Sequence, residues 1–122
     1  MFSIQTRAVG PVNVVRCSGS FVLGRETEVL TQSVPGLLER GGPVILNLKD
    51  VVTIDTSGIG TLLLLHCWIH AAGSRISFCC LSPRISEMLR ITNLSEVFDI
   101  RSDEQEAISA VAAVPASVAS VA

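Results

Sequence analysis

Val44–Gly60, VILNLKDVVTIDTSGIG, holds a strand, an acidic bend and the start of a helix in one short run. Val44 to Leu48 is continuously apolar apart from Asn47, the pattern of a strand covered on both faces within a largely parallel sheet. Asp55, Thr56 and Ser57 then offer three side-chain oxygens able to accept from the unpaired first N–H groups of a helix. Such a cluster is an ordinary cap. Three capping residues nevertheless exceed what one helix start requires, and Ser57 falls in the first turn, on a rim where a hydroxyl can be modified without disturbing the core.

Working outward, Ile4–Ala8 and Val12–Cys17 are β-branched runs around Gly10-Pro11, which predicts an opening hairpin. Val29, Leu30, Val34, Leu37 and Leu38 give Glu26–Arg40 helical spacing ending at Gly41-Gly42, with Pro35 expected to kink or split it. After Asp55 come a helix over Ser57–Ala72, a strand over Arg75–Leu81 and a short helix over Pro83–Ile91 with proline at its first position. Val97–Ile100 supplies an edge strand and Glu104–Val114 a last helix. The alternation predicts an α/β domain: one mixed sheet of about five strands with about four helices packed on it through right-handed crossovers. Residues 1–114 form this domain, and 115–122, built from Pro, Ala, Ser and Val, a frayed tail.

Composition narrows the function. A chain of 122 residues is one domain able to bury roughly two-thirds of its unfolded surface without staples. A net charge of −2 with scattered basic residues argues against a nucleic-acid partner. Met1–Arg7 lacks the pattern of a secretory signal, so the cytoplasm is the expected compartment. Ile59–Ala72 is apolar but shorter than the roughly 20 residues that span a bilayer, and it contains His66 and His70, so no direct membrane insertion is expected. Cys17, Cys67, Cys79 and Cys80 form no CxxC pair and read as reduced core thiols. Cys79 and Cys80 are adjacent, so strand alternation puts them on opposite faces. His66 and His70 share a helix face near Cys67, yet two histidines without an HExxH pattern do not make a metal centre. No cofactor, metal or catalytic residue is expected, because Ser57 sits in no Gly-x-Ser-x-Gly elbow.

The order of elements and the run Leu46-Asn47-Leu48 to Asp55-Thr56-Ser57-Gly58-Ile59-Gly60 resemble the STAS domain of bacterial anti-sigma factor antagonists. The resemblance covers nearly the whole chain and implies a STAS fold. It implies Ser57 as the phosphorylation site, with Thr56 the second choice, in a switch loop of Asp55, Thr56 and Gly58. The implied partners are an anti-sigma factor that is also a serine kinase, bound when Ser57 is unphosphorylated so that a sigma factor is released, and a phosphatase that resets the cycle. The helix from Ser57 and the one beginning near Ser82 flank the implied docking surface. Ile59, Thr61, Leu64 and Trp68 are its candidate contacts, with Arg84 for charge complementarity. The chain departs from the family at Gly19-Ser20-Phe21-Val22, where Val22 occupies a position usually held by Asp. Two alternatives remain: a non-cycling STAS subunit of a transporter or stress-signalling complex, and a small-ligand-sensing STAS module.

Overall fold

The computed structural model describes residues 2–21 and 25–112. Val22 and the tail 115–122 lie outside them. Five strands form a mixed sheet in the order of the chain: β1 (Phe2–Val9), β2 (Val12–Phe21), β3 (Val44–Ile54), β4 (Ile76–Cys79) and β5 (Asp99–Arg101). β1 and β2 pair antiparallel, and every later pairing is parallel, as the hairpin followed by strand–helix alternation implied. The helices are α1 (Arg25–Arg40), α2 (Thr56–Ala71), α3 (Pro83–Ile91) and α4 (Glu104–Ala112), with a 3-10 turn at Leu94–Glu96.

Pro35 neither splits nor ends α1, which runs unbroken to Arg40. Pro35 and Gly36 are exposed, so a backbone carbonyl deprived of its partner by the proline can turn to water. The helix ends at Gly41 and Gly42, both at positive φ. At Gly42 a Cβ would stand 2.2 Å from the Pro11 carbonyl oxygen, so this close approach of two chain segments requires glycine.

Because β3 lies mid-sheet, Val44 to Leu48 is buried on both faces. Val44, Leu46 and Leu48 join Val15, Leu62, Ile69, Phe78, Ile85 and Leu89 in the larger core on the side of α1, α2 and α3. On the other face Ile45 packs with Val12, Val14 and Cys79 beneath Ala107 and Val111 of α4. An α4 carboxylate fixes that helix to the sheet. Glu104 accepts from Asn47 Nδ2 at 2.7 Å and from Arg16 Nε at 3.2 Å, and it pairs with Arg7, joining three strands to one helix.

The strand alternation expected of Cys79 and Cys80 fails. β4 ends at Cys79, and Cys80 adopts φ 61°, which turns its side chain back into the same cluster below α4. Cys67 is not a core thiol either: it lies on the exposed side of α2.

Candidate functional site

β3 extends further than the sequence pattern indicated, to Ile54 rather than Leu48. Only Val44–Asn47 pairs with β4, whereas pairing with β2 continues to Ile54 through two register shifts. The last turn of this overhang is therefore carried to the rim of the sheet, where the chain enters α2. Asp55 has extended backbone (φ −114°, ψ −174°), and its Oδ1 accepts from the Gly58 N–H at 2.9 Å. That bond makes Asp55 the N-cap, with Thr56 and Ser57 the first two helical residues. Thr56 is exposed, and Ser57 and Asp55 are half-buried.

The Ser57 carbonyl accepts from Thr61 Oγ1 at 2.9 Å, so the first turn is fixed by side-chain bonds at both of its ends. No acidic residue stands in that turn. Ser57 therefore lies at the positive end of the helix dipole, with Asp55 as the carboxylate at the cap. α3 also begins at the carboxyl end of a parallel strand, at the same pole. Ser82 Oγ caps it by accepting from the Ile85 N–H at 3.2 Å, Pro83 holds its first position, and Arg84 is exposed beside them.

Of the candidate contacts, Leu64 (41% exposed) and Trp68 (40%) do face outward on α2. They lie seven and eleven residues after Ser57, on the helix face that Ser57 begins. Ile59 (5%) and Thr61 (8%) are buried, which corrects their assignment to the surface. Ile59 packs into the larger core, and Thr61 is engaged with the Ser57 carbonyl. The reason is that α2 is apolar on all sides, so hydrophobic periodicity could not say which side meets the sheet. Gly60 and Cys67 were overlooked for the same reason, and both are exposed on the outer side.

The His66 and His70 rings meet at a tilt of 40° with centroids 4.5 Å apart, and His66 also meets the Phe98 ring at 5.4 Å. Burial, and then the neighbouring His70, lower the His66 pKa. Among the described residues no group of three or more His, Cys, Asp or Glu side chains could hold a metal ion. No helix among them is long and apolar enough to cross a membrane. A recess of about 390 Å³ lies at the opposite pole, lined by Leu37, Gly42, Val44, Ile69, Arg75 and Val111. It shares no lining residue with the Asp55–Gly58 loop.

Comparison with known proteins agrees with this fold. The STAS domain family model matches residues 3–107. A putative anti-sigma factor antagonist from Thermotoga maritima superposes with a TM-score of 0.81 at 19% identity, covering 88% of this chain and 93% of that one. The Bacillus cell fate determinant SpoIIAA in its phosphorylated form gives 0.69 at 21% identity, over 89% and 99% of the two chains. The murine Solute Carrier 26 family member A9 anion transporter gives 0.71 at 15% identity, over 88% of this chain and 19% of the transporter. At these identities the likeness is one of fold, a five-stranded mixed sheet with four helices.

Proposed function

The chain belongs to the STAS domain family, and on that premise we propose that it is an anti-sigma factor antagonist whose binding is turned off by phosphorylation of Ser57. Unphosphorylated, it docks the outer row of α2 and the start of α3 on an anti-sigma factor that is also a serine kinase, and a sigma factor is released. Phosphorylated, it lets go, and a phosphatase restores it. The chain is then the substrate of an enzyme and not itself a catalyst, and it works in the bacterial cytoplasm.

The observation that carries this reading is the placement of the Ser57 hydroxyl. Half-buried Ser57 stands in the first turn of the same helix whose outer face presents Leu64 and Trp68. A phosphoryl group there adds about −1.5 to −2 charges. The helix N-terminus favours that charge, while Asp55 opposes it at close range. The fold is retained and the docking surface gains an anion that a partner of fixed shape must desolvate or reject.

The test is phosphopeptide mass spectrometry after incubation with Mg-ATP and lysate of the native host, with Ser57→Ala as control. A single phosphoryl group at Ser57, absent from the control, supports the switch; none in a lysate that phosphorylates other proteins refutes it. The second reading, a non-cycling STAS subunit of a larger assembly, draws support from the likeness to a segment of an anion transporter. A Ser57→Asp variant separates the two, because it loses its partner in a phosphorylation cycle and keeps it in a constitutive assembly.

A further inference from the structure

Cys79 ends the shortest interior strand and Cys80 follows it, and the proposed switch at Ser57 makes no use of them. Both side chains lie in the small cluster under α4, Cys79 fully buried and Cys80 half-buried. Two adjacent strand residues would diverge. Here the left-handed backbone of Cys80 cancels the divergence and turns both side chains into that one cluster.

We propose that Cys79 and Cys80 are a dithiol modification site, converted reversibly to a disulfide between neighbours by a low-molecular-weight disulfide. Cys80 attacks first because it is the half-exposed thiol, whereas Cys79 is fully buried. Its thiolate displaces one half of the incoming disulfide as a thiolate and forms a mixed disulfide through Cys80 Sγ. Cys79 gives up its proton, attacks Cys80 Sγ, and expels the second half. The two protein thiols are oxidised, and the small disulfide is reduced to two thiols.

The order cannot be reversed. Burial above all, and then the neighbouring Cys80 and the carboxylates of Glu104 and Asp103, disfavour a Cys79 thiolate, so Cys79 reacts only when the mixed disulfide is delivered beside it. A bond between neighbours spans Cα atoms only ~3.8 Å apart, closer than unstrained disulfides allow, and strained disulfides are readily reduced again. The site is thus suited to reversible oxidation and not to stapling. It lies on the α4 face of the sheet and is chemically independent of Ser57.

The sequence isolates the readout. Trypsin releases residues 76–84, which contain both thiols and no other cysteine, whereas Cys67 falls in residues 50–75. The native protein is treated with oxidised glutathione, the remaining thiols are alkylated, and the peptides are weighed. The expected result is an unalkylated 76–84 peptide about 2 Da below the mass of its free dithiol form, from the loss of two hydrogens, and alkylated on both cysteines when dithiothreitol is applied first, with a glutathione adduct on exposed Cys67 as proof that the oxidant acted. A 76–84 peptide that stays reduced while Cys67 is modified overturns the proposal, as does a stable glutathione adduct on Cys80. Cys80→Ser leaves Cys79 unmodified in the folded protein if the order of attack is right; glutathione on Cys79 in that variant overturns it.

Discussion

Replacing Glu104 measures how firmly the last helix is attached to the sheet. The carboxylate accepts from Asn47 Nδ2 at 2.7 Å, and the Asn47 oxygen is occupied by the Lys49 N–H at 2.9 Å, so this buried amide cannot turn to find another partner. Glu104→Ala strands the Asn47 NH2 group. A hydrogen bond to a charged group contributes about 1.5–3 kcal/mol, and loss of the α4 anchor puts the expected cost at about 2–4 kcal/mol. The Arg7 and Arg16 pairs are solvent-exposed and add little. Glu104→Gln keeps an acceptor for Asn47 and is expected to cost about half as much.

The same carboxylate sets an acid response. Burial pushes its pKa up, but the hydrogen bonds from Arg7, Arg16 and Asn47 outweigh burial and bring it from 4.5 down to about 2. A carboxyl held lower in the folded than in the unfolded state stabilises fully above about pH 4.5, and that stability is lost as pH falls toward about 2. With its arginine partners open to solvent, the contribution is discounted to about 1–2 kcal/mol. Urea unfolding followed by circular dichroism, at neutral pH and at about pH 3, tests both statements. The Glu104→Gln protein should show a shallower loss between the two conditions. An alanine variant within about 0.5 kcal/mol of the parent, or equal acid sensitivity in parent and glutamine variant, would refute the clamp.

Asp55→Ala removes the cap of α2 and is expected to cost about 1 kcal/mol, while Asp55→Asn retains most of it; thermal melts that do not distinguish the two variants would contradict the capping role. Two glycines should respond in opposite directions. Gly60→Ala adds a methyl group into open space on an exposed helical position and should stabilise by up to about 1 kcal/mol. Gly42→Ala meets the Pro11 carbonyl at positive φ and should destabilise by more than about 2 kcal/mol, so similar melting temperatures for the pair would be disproof. Trp68→Ala should leave stability within about 1 kcal/mol yet weaken binding to the proposed anti-sigma partner at least tenfold, read by titration calorimetry; unchanged affinity would move the docking surface elsewhere.

What could be read from sequence was whatever depends on local pattern. The apolar run from Val44 to Leu48 identified the mid-sheet strand, and Asp55, Thr56 and Ser57 identified the helix start, because both signals lie within a few residues. The end of β3 was missed. Lys49 and Asp50 look like a loop, but β2 goes on pairing past them, and Val51 and Ile54 are buried by tertiary contacts. The orientation of α2 was not legible, since leucines and isoleucines surround it and only the packing of α1 and the sheet selects Ile59, Leu62, Leu65 and Ile69 as the inner side. Glu104 gave no signal at all, because its partners Arg7, Arg16 and Asn47 are distant along the chain. Cys80 escaped because a single left-handed residue breaks the alternation on which strand reading depends.

The two sides of α2 are made of different residues: Ile59, Leu62, Leu65 and Ile69 inward, Gly60, Leu64, Cys67 and Trp68 outward. Substitutions in the outer set therefore change what the helix recognises at little expense to folding. After gene duplication, two copies could diverge at these outer positions until each recognised its own partner, while Asp55 and Ser57, the proposed switch, stayed unchanged. Insulation between parallel signalling lines in one cell would then follow from which side of a single helix is free to drift.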